Sequence, residues 1–374
     1  MNQTTTTGAS RASLAALPLA LLCAASGSAM AQSSSVTMNV IADAAMRYST
    51  NSVGNLKTLV SGGNSTSRLI LRGTEDLGDG LKAGFWLEGT LFTDTGTAGG
   101  TAIAPAGQFW DRQATVQLSN RLGEVRLGRD WNPVFLGYVF SDPFVFLGVG
   151  SMGNFFNASV STVFQRAFGS AIAPSTISRS SNSIEYFLPG GLGGVNGQLM
   201  VSAGEGNNAG GSFKYRAGRL GYRAGPIDGS VYYGATQIDA TGSDLKQSGI
   251  AGSYDFGVAK VSASYLNSSY LSAKQVNWLL GLSVPVGPTG FIKASYNKAD
   301  QKGTTAAGVS VDADDAQQFA IGYQYYLSKN TTLYTTVARL KNSGVAKFAI
   351  PNGPAGIAGG SSSTGFDIGM RSAF

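Results

Sequence analysis

The feature that most constrains this 374-residue chain is an alternation of apolar and polar residues with a period of two. In the segment 36–48 one parity is apolar and carries Val36, Met38, Val40, Ala42, Ala44, Met46 and Tyr48. Such alternation predicts a β-strand with one apolar face. Beyond residue 32 the sequence has no apolar run of about 18 residues, the length that a membrane-spanning helix needs. The pattern therefore predicts an all-β fold.

Similar segments recur along the chain and give sixteen candidate strands. They are 36–48, 67–73, 81–91, 114–118, 124–129, 184–188, 198–203, 216–223, 230–236, 247–254, 260–266, 276–284, 291–298, 317–326, 333–341 and 365–374. Seven short connections alternate with eight longer ones, at about 50–66, 92–108, 130–181, 205–215, 237–245, 267–274, 299–315 and 342–364. This alternation is typical of a closed up-and-down antiparallel barrel with both termini on one side.

Low charge and the placement of aromatic residues favour a membrane barrel over a secreted soluble β-protein. Charged residues make up 13% of the chain, about half of the roughly 25% usual in soluble domains. Aromatic residues lie mostly toward the ends of the candidate strands, where a bilayer interface recruits amphipathic rings. They are Tyr48, Trp86, Tyr186, Tyr222, Tyr232, Tyr254, Tyr265, Tyr296, Tyr325 and Phe374. We therefore expect a 16-stranded antiparallel transmembrane β-barrel.

Residues 1–31 have the pattern of a secretory signal peptide. Arg11 supplies a positive charge, residues 14–25 are largely apolar, and Ala29-Met30-Ala31 form a cleavage site with small residues. Cleavage would remove Cys23, the one cysteine of the sequence, and with it all thiol chemistry. We expect residues 1–31 to be removed and residues 32–374 to form the barrel.

The absence of histidine excludes several classes of enzyme. A Ser-His-Asp triad and an HExxH zinc site both need an imidazole, and the sequence shows no convincing pair of acids near one rim. The net charge of +6 is not gathered into the Lys/Arg clusters that nucleic-acid binding requires. We therefore predict no enzymatic activity, no cofactor, no metal site and no nucleic-acid partner.

Several segments resemble the Gram-negative general porins, particularly those of the betaproteobacterial type. Residues 67–88 (SRLILRGTEDLGDGLKAGFWLE) resemble the hairpin of strands 2 and 3. Residues 111–119 (DRQATVQLS) and 123–133 (GEVRLGRDWNP) resemble strands 4 and 5, and residues 182–186 (NSIEY) resemble the start of strand 6. The resemblance implies a homotrimer of 16-stranded barrels, each with a water-filled pore narrowed by the third extracellular loop folded into the lumen.

The C-terminal segment carries a second resemblance. Phe366, Ile368, Met370, Ser372 and Phe374 share one parity, and the sequence ends on the aromatic residue. This is similar to the terminal strand that the outer membrane assembly machinery recognises in barrel proteins. We expect Phe374 to direct the chain to that machinery and to the cell outer membrane.

The resemblance also places a basic wall at the pore constriction. It implies that Arg68, Arg112 and Arg179 lie there, and strand parity puts Arg72 on the same lumenal face as Arg68. Arg112 shares the parity of lipid-facing Ala114. Because an arginine on the lipid face costs about 2–4 kcal/mol at the bilayer centre, either a β-bulge turns Arg112 inward or the residue lies at the rim, and we expect the bulge.

The predicted third loop, at about residues 130–181, is nearly free of acids. Between Trp131 and Ser183 the sequence has Asp142 as its one acid, against Arg166 and Arg179. We predict that Asp142 and Arg166 are the charges that the loop brings to the constriction. Since basic rings admit anions, the sequence predicts a passive diffusion porin for small hydrophilic solutes that prefers anions such as phosphate or carboxylates.

The same loop is rich in phenylalanine, which leaves its role open. The residues are Phe135, Phe140, Phe144, Phe146, Phe155, Phe156, Phe164 and Phe168. They can pack against one another and the barrel wall, or line an apolar path for aromatic acids. They can also seal the lumen, in which case the protein would be a structural or adhesive outer membrane barrel with a blocked pore.

Overall fold

The computed structural model describes residues 34–100, 108–169, 176–204, 213–238 and 242–374. These residues form one sheet of sixteen antiparallel strands that closes on itself. The first strand pairs with the last, so that Ile41 lies opposite Ala373 and Thr50 lies opposite Thr364. The expected barrel is thus confirmed. The predicted signal peptide lies outside the described residues.

The strand bounds follow the chain order. The strands are β1 (Ser34–Asn51), β2a (Gly54–Ser61) and β2b (Arg68–Gly78), β3 (Leu81–Phe92), β4 (Gln113–Asn120), β5 (Gly123–Trp131), β6 (Arg179–Phe187), β7 (Val195–Ser202), β8 (Tyr215–Ala224), β9 (Ile227–Gln237), β10 (Asp244–Asp255), β11 (Lys260–Tyr270), β12 (Ala273–Val286), β13 (Gly290–Lys302), β14 (Ala316–Tyr326), β15 (Thr331–Asn342) and β16 (Ser362–Ala373). A short strand, Thr97–Ala98, pairs with the end of β3. Each of the sixteen candidate segments overlaps one of the barrel strands.

The described residues also form two short α-helices between β5 and β6, α1 (Pro133–Tyr138) and α2 (Thr162–Phe168). Two 3-10 turns, Val139–Ser141 and Met152–Phe155, lie between them. None of the described helices has the length and apolar character that crossing a membrane as a helix requires.

Two of the eight predicted long connections are wrong. The chain turns back between Asn51 and Gly54, and β11 joins β12 through Leu271 and Ser272. The residues next to these turns are mostly polar on both faces, which resembles a loop pattern in the sequence. They continue the sheet because the ends of a membrane strand leave the apolar band and no longer need an apolar face.

The second strand is interrupted at residues 62–67, and a buried carboxylate organises the interruption. Both halves of the strand pair with β1. The side chain of Asp43 accepts hydrogen bonds from the backbone N–H groups of residues 63–65, at 2.8–3.2 Å, and from the hydroxyl of Tyr334. These bonds satisfy donors that leave the sheet ladder, and they fix the point at which β2b begins with Arg68.

The two faces of the wall show that the barrel stands in a membrane. Outward side chains such as Leu199, Leu280 and Phe319 are 56–63% exposed. Inward side chains such as Gln275 and Gln318 are polar and buried under the third loop. A soluble barrel would have the opposite arrangement, so the exposed apolar face is the one that meets lipid.

Two aromatic residues of the predicted girdles face the lumen instead. The indole N–H of Trp86 donates to Glu88 at 3.2 Å, and the ring of Tyr232 is buried against α1. Trp86 has the parity of lumenal Glu88, not that of the outward Phe85 and Leu87. A position near the end of a strand therefore does not predict that an aromatic residue faces the lipid. Tyr48, Tyr222, Tyr254, Tyr296, Tyr325 and Phe374 are exposed, as a girdle requires.

Candidate pore constriction

The third connection, residues 132–178, folds into the barrel. Asn132 caps α1 by accepting the N–H of Phe135 at 2.8 Å, and its amide donates to the carbonyl of Thr176 at 2.6 Å. The two ends of the connection are thereby tied together where it leaves and rejoins the wall. Helix α1 packs against β8–β10 and α2 against β11 and β12, so the loop occupies one side of the lumen.

The phenylalanine residues attach the loop to the wall. Phe135, Phe144, Phe155, Phe156 and Phe164 are buried, Phe146 and Phe168 pack against them, and Phe140 is exposed. The Phe156 and Phe164 rings stack at 5.4 Å, and Phe155 meets Phe348 of the last connection edge-on at 5.5 Å. The structure therefore favours the packing interpretation. Burial of this many rings gives the loop the rigidity that a constriction needs.

Asp142 does not face the pore, contrary to the sequence prediction. Its side chain is 1% exposed, and its carboxylate accepts the backbone N–H groups of Phe144, Phe146 and Met152 at 2.9, 3.1 and 2.9 Å. Burial raises the pKa of this carboxyl, while the three donors act against that shift. Asp142 thus folds the loop and presents no exposed negative charge to a solute.

Arg166 also lies away from the predicted constriction. It stands on α2, and its Nη1 donates to Ser272 Oγ at 2.6 Å and to the carbonyl of Thr304 at 2.9 Å. Both partners belong to connections at the long-loop end of the barrel. The sequence could not show this, because the position depends on how α2 packs against the turn at Ser272, for which the sequence predicts a longer loop.

Arg68, Arg112 and Arg179 lie together on the opposite wall, around the carboxylate of Glu88. The Nε atoms of Arg112 and Arg68 are 2.5 and 3.5 Å from Glu88 Oε1, and Arg179 Nε donates to the carbonyl of Arg112 at 2.7 Å. We call these four residues the arginine cluster. Three guanidinium groups and one carboxylate leave it with a net charge of about +2, since arginine stays protonated.

Arg112 reaches the lumen through a local irregularity at the start of β4. Gln113 is the register partner of Glu88, and the backbone N–H of Arg112 donates to the carbonyl of the same Glu88 at 3.1 Å. Two consecutive residues thus oppose one, as in a β-bulge. Arg112 can therefore be buried inside the barrel although its parity matches that of outward Ala114 and Val116.

Trp131 forms a platform under the cluster. The guanidinium carbons of Arg179 and Arg112 lie 4.0 and 5.6 Å from its ring, within the range of a cation–π contact. Arg179 Nη2 and Arg68 Nε are buried without a hydrogen-bond partner among the described residues. The cluster thus consists of cations that Trp131 and Glu88 hold in fixed positions.

Arg72 shares the lumenal face but not the cluster. Its Nε donates to Thr37 Oγ1 at 2.9 Å, and its guanidinium lies 5.5 Å from the ring of Trp86. Four residues along a strand separate it from Arg68 by about 13 Å. It therefore adds positive charge nearer the short-turn end of the barrel.

Sequence reasoning missed Glu88 and a neighbouring network of acids. Glu88 lies directly opposite Ile70, which is on the same lumenal face of β2b as Arg68 and Arg72. Its lumenal position therefore agrees with strand parity. Next to the cluster, Arg126 pairs with Asp130 at 2.9 Å and with Glu124, and Gln198 donates to buried Glu185 at 2.7 Å. This second group holds more acid than base, so of these two groups the arginine cluster is the one with an excess of positive charge.

The fold agrees with what comparison with known proteins finds. The family model for Gram-negative porins matches residues 18–345. The chain belongs to the Gram-negative porin family. As a porin of this family it is a protein of the cell outer membrane.

Individual porins cover nearly the whole chain. Outer membrane porin protein 32 of Delftia acidovorans is 36% identical over 96% of this chain and 99% of its own. The structure of an anion-selective porin from Comamonas acidovorans is 34% identical, covers 91% of this chain and 100% of its own, and has a TM-score of 0.76. A trimer form of OmpT from Vibrio cholerae, at 13% identity and a TM-score of 0.63 over 91% and 100% of the two chains, shares the fold.

We predict that Asp142→Asn loosens the third loop. An amide in place of the carboxylate turns an NH2 group toward backbone donors and leaves buried N–H groups unpaired, at about 1–3 kcal/mol each. The expected result is a lower unfolding temperature of the folded barrel and noisier single-channel current. The matched control is Asp94→Asn, an exposed acid with the same change of charge. Equal behaviour of the two variants would contradict the role assigned to Asp142.

Proposed function

We propose that the protein is a passive diffusion porin that prefers anions. The observation that carries this proposal is the arginine cluster, which faces a third loop whose one acid, Asp142, is buried. A small anion at this point meets the partly exposed guanidinium of Arg68, with the buried charges of Arg112 and Arg179 behind it. On the other side it meets no exposed carboxylate of the loop. Because the lumenal wall has a low dielectric around it, these charges act more strongly on the anion than they would in bulk water.

Glu88 limits how tightly the cluster binds an anion. Conduction needs binding that is weak enough for the anion to be released. Three guanidinium groups without a counter-charge would hold an anion tightly and repel one another. The carboxylate of Glu88 holds Arg68 and Arg112 in place and cancels one of the three charges. The cluster then attracts an anion and still lets it leave.

One similar porin supports the same preference. The Comamonas acidovorans protein, which covers 91% of this chain at 34% identity, is an anion-selective porin. We propose small hydrophilic anions such as phosphate and carboxylates as the solutes. We also propose that transport, and not catalysis, is the activity of the chain, since the lumenal charges act by attraction and orientation alone.

Ion selectivity of variants in a planar bilayer tests the proposal. We predict that Arg68→Gln with Arg112→Gln shifts the reversal potential under a KCl gradient toward K+, because the cluster loses two charges. Glu88→Gln has the opposite sign and should increase the preference for Cl−, provided that the arginines keep their places on Trp131.

The matched control for the double variant is Arg166→Gln with Lys329→Gln, which removes the same charge outside the cluster. Its reversal potential is expected to stay close to that of the unmodified protein. A double variant that behaves like this control would show that the cluster does not set selectivity. A shift in the control as large as in the double variant would show that total charge is sufficient.

We also propose that the porin is a homotrimer, as the resemblance to the general porins implies. The outward residues of β1 and β16, such as Met38, Met46, Ile368 and Met370, give an exposed apolar surface that subunits can share. Native mass spectrometry in detergent is expected to give three times the chain mass. A mass of one chain under conditions that keep the barrel folded would contradict this.

We propose that the assembly machinery recognises the last strand through Phe374. The side chain is exposed, whereas the backbone of the residue is held by a pair of hydrogen bonds to Val40 at 2.8 and 2.9 Å. The ring is therefore dispensable for closing the barrel. We predict that Phe374→Ala lowers the amount of porin assembled in the outer membrane without lowering the thermal stability of the molecules that do assemble; unchanged assembly would contradict the proposal.

A further inference from the structure

One lumenal cation lies outside the arginine cluster and has no partner. Arg371 shares the parity of buried Asp367 on β16, opposite to that of outward Met370, so its side chain points into the barrel. Its Nε is buried without a hydrogen-bond partner, and Arg371 forms no ion pair within the residues that the structure describes. Since arginine stays protonated, this side chain adds a positive charge that no described acid compensates.

The nearest acid stands directly opposite Arg371 and is fully occupied. Asp43 on β1 is the register partner of Arg371, and the Cβ atoms of such partners lie about 4.5–5.5 Å apart. An ion pair is therefore within easy reach. A carboxylate, however, has about four acceptor positions, and Asp43 uses them for the N–H groups of residues 63–65 and for the hydroxyl of Tyr334. Arg371 is thus left without a counter-ion.

The next acid on the same face of β16 is occupied as well. Asp367 lies four residues from Arg371, which is about 13 Å along a strand. Its carboxylate oxygens accept Nε and Nη2 of Arg47 at 2.7 and 2.8 Å, the bidentate geometry of a strong ion pair. Asp367 also accepts the N–H of Val149 in the third loop at 3.4 Å. Arg371 therefore stands free on the short-turn side of the point where the loop meets β16.

Tyr334 reaches Asp43 across the strand that lies between them. It stands on β15 directly opposite Gly369 of β16, and Asp43 lies on the following strand, β1. A Cβ at Gly369 or at Gly63 would collide with the phenol ring or its oxygen. The two glycines thus give the ring a path over the wall, where it is 4% exposed. The contact between the hydroxyl and Asp43 is therefore a fixed part of this wall.

Arg371 continues the positive wall that begins with the arginine cluster. Arg68 is opposite Ile41, and Ile41 is opposite Ala373, so the backbones of Arg68 and Arg371 are about 12 Å apart across two strands. In the other direction around the barrel, Lys293 of β13 also faces the lumen. Arg371 is close enough to both cations for their charges to repel. An anion in this space is attracted by a charge from β16 as well as by those of the cluster.

We propose that Arg371 is a further residue that determines the anion preference, and that Tyr334 is the positioning residue that keeps Arg371 free by holding Asp43. Without the hydroxyl of Tyr334, one oxygen of Asp43 lacks a donor and lies within reach of the guanidinium opposite it. The ion pair that then forms cancels the charge of Arg371. The inference rests on the proposed function, because both concern the ion preference of the same pore.

The permeability ratio of Cl− to K+, measured from the reversal potential under a KCl gradient, tests the role of Arg371. Arg371→Gln is expected to lower this ratio about three-fold, which corresponds to the Coulomb attraction of one charge for an anion about 7 Å away in water. Arg371→Lys keeps the charge and should keep the ratio. The matched control is Lys329→Gln, which removes one charge from an exposed position on the turn between β14 and β15 and should leave the ratio unchanged. Equal ratios for Arg371→Gln and this control would overturn the inference.

Tyr334→Phe tests the positioning role in two backgrounds. In the otherwise unmodified porin it is expected to lower the ratio, by no more than Arg371→Gln does, since Asp43 then pairs with Arg371. In the Arg371→Gln background it should change nothing further, because no cation is left for Asp43 to neutralise. Tyr215→Phe is the control, since Tyr215 is also a buried tyrosine of the lumenal wall, and its ratio should stay that of the unmodified porin. An unchanged ratio in the first background, or an equal loss in both, would overturn the role of Tyr334.

The outcomes separate this inference from the proposed function. An unmodified porin that prefers K+ would contradict the proposed function, and Arg371→Gln would still shift its ratio further toward K+. An unmodified porin that prefers Cl− but does not respond to Arg371→Gln would overturn this inference alone. The unfolding temperature of each purified variant verifies that the barrel is folded.

Discussion

Lipid offers no hydrogen-bond partner to a backbone N–H or C=O group, and the architecture follows from that constraint. A wall of strands satisfies every group of its ladder only when it has no free edge, which is why β1 pairs with β16. Closure then divides the residues of each strand into a lipid-facing and a lumenal set. The low charge of the sequence reflects the first set, and most of the chemistry lies in the second.

Inside the barrel the requirement is different. Charged side chains must be held in fixed positions and must still act electrostatically on a passing solute. The third loop fills one side of the lumen and is fixed by its phenylalanine rings and by the buried carboxylate of Asp142. On the other side Glu88 and Trp131 hold three arginines that the chain brings from β2b, from the start of β4 and from β6. The resulting asymmetry, with cations on one wall and no exposed acid on the loop, is the physical basis of the proposed anion preference.

The fold was largely predictable from the sequence, because period-two alternation is a local signal that survives in a membrane strand. The two wrong connections have a common cause, since the strands continue beyond the apolar band where alternation disappears. The arginine cluster was predictable in part. Arg68, Arg112 and Arg179 were named from a family resemblance, and the inward position of Arg112 followed from the cost of the alternative.

What the sequence could not provide was the partner of each charge. Asp142 and Arg166 are conspicuous as charged residues of a nearly uncharged loop. In the structure, however, the carboxylate of Asp142 binds backbone N–H groups of the loop itself, and Arg166 binds connections that are distant in the sequence. The sequence did not predict a role for Glu88, although it is central to the cluster, because that role depends on three segments that are far apart in the chain.

The reversal potential of the unmodified porin under a KCl gradient tests the central claim most directly: a sign that corresponds to Cl− preference is predicted, and K+ preference would contradict the account.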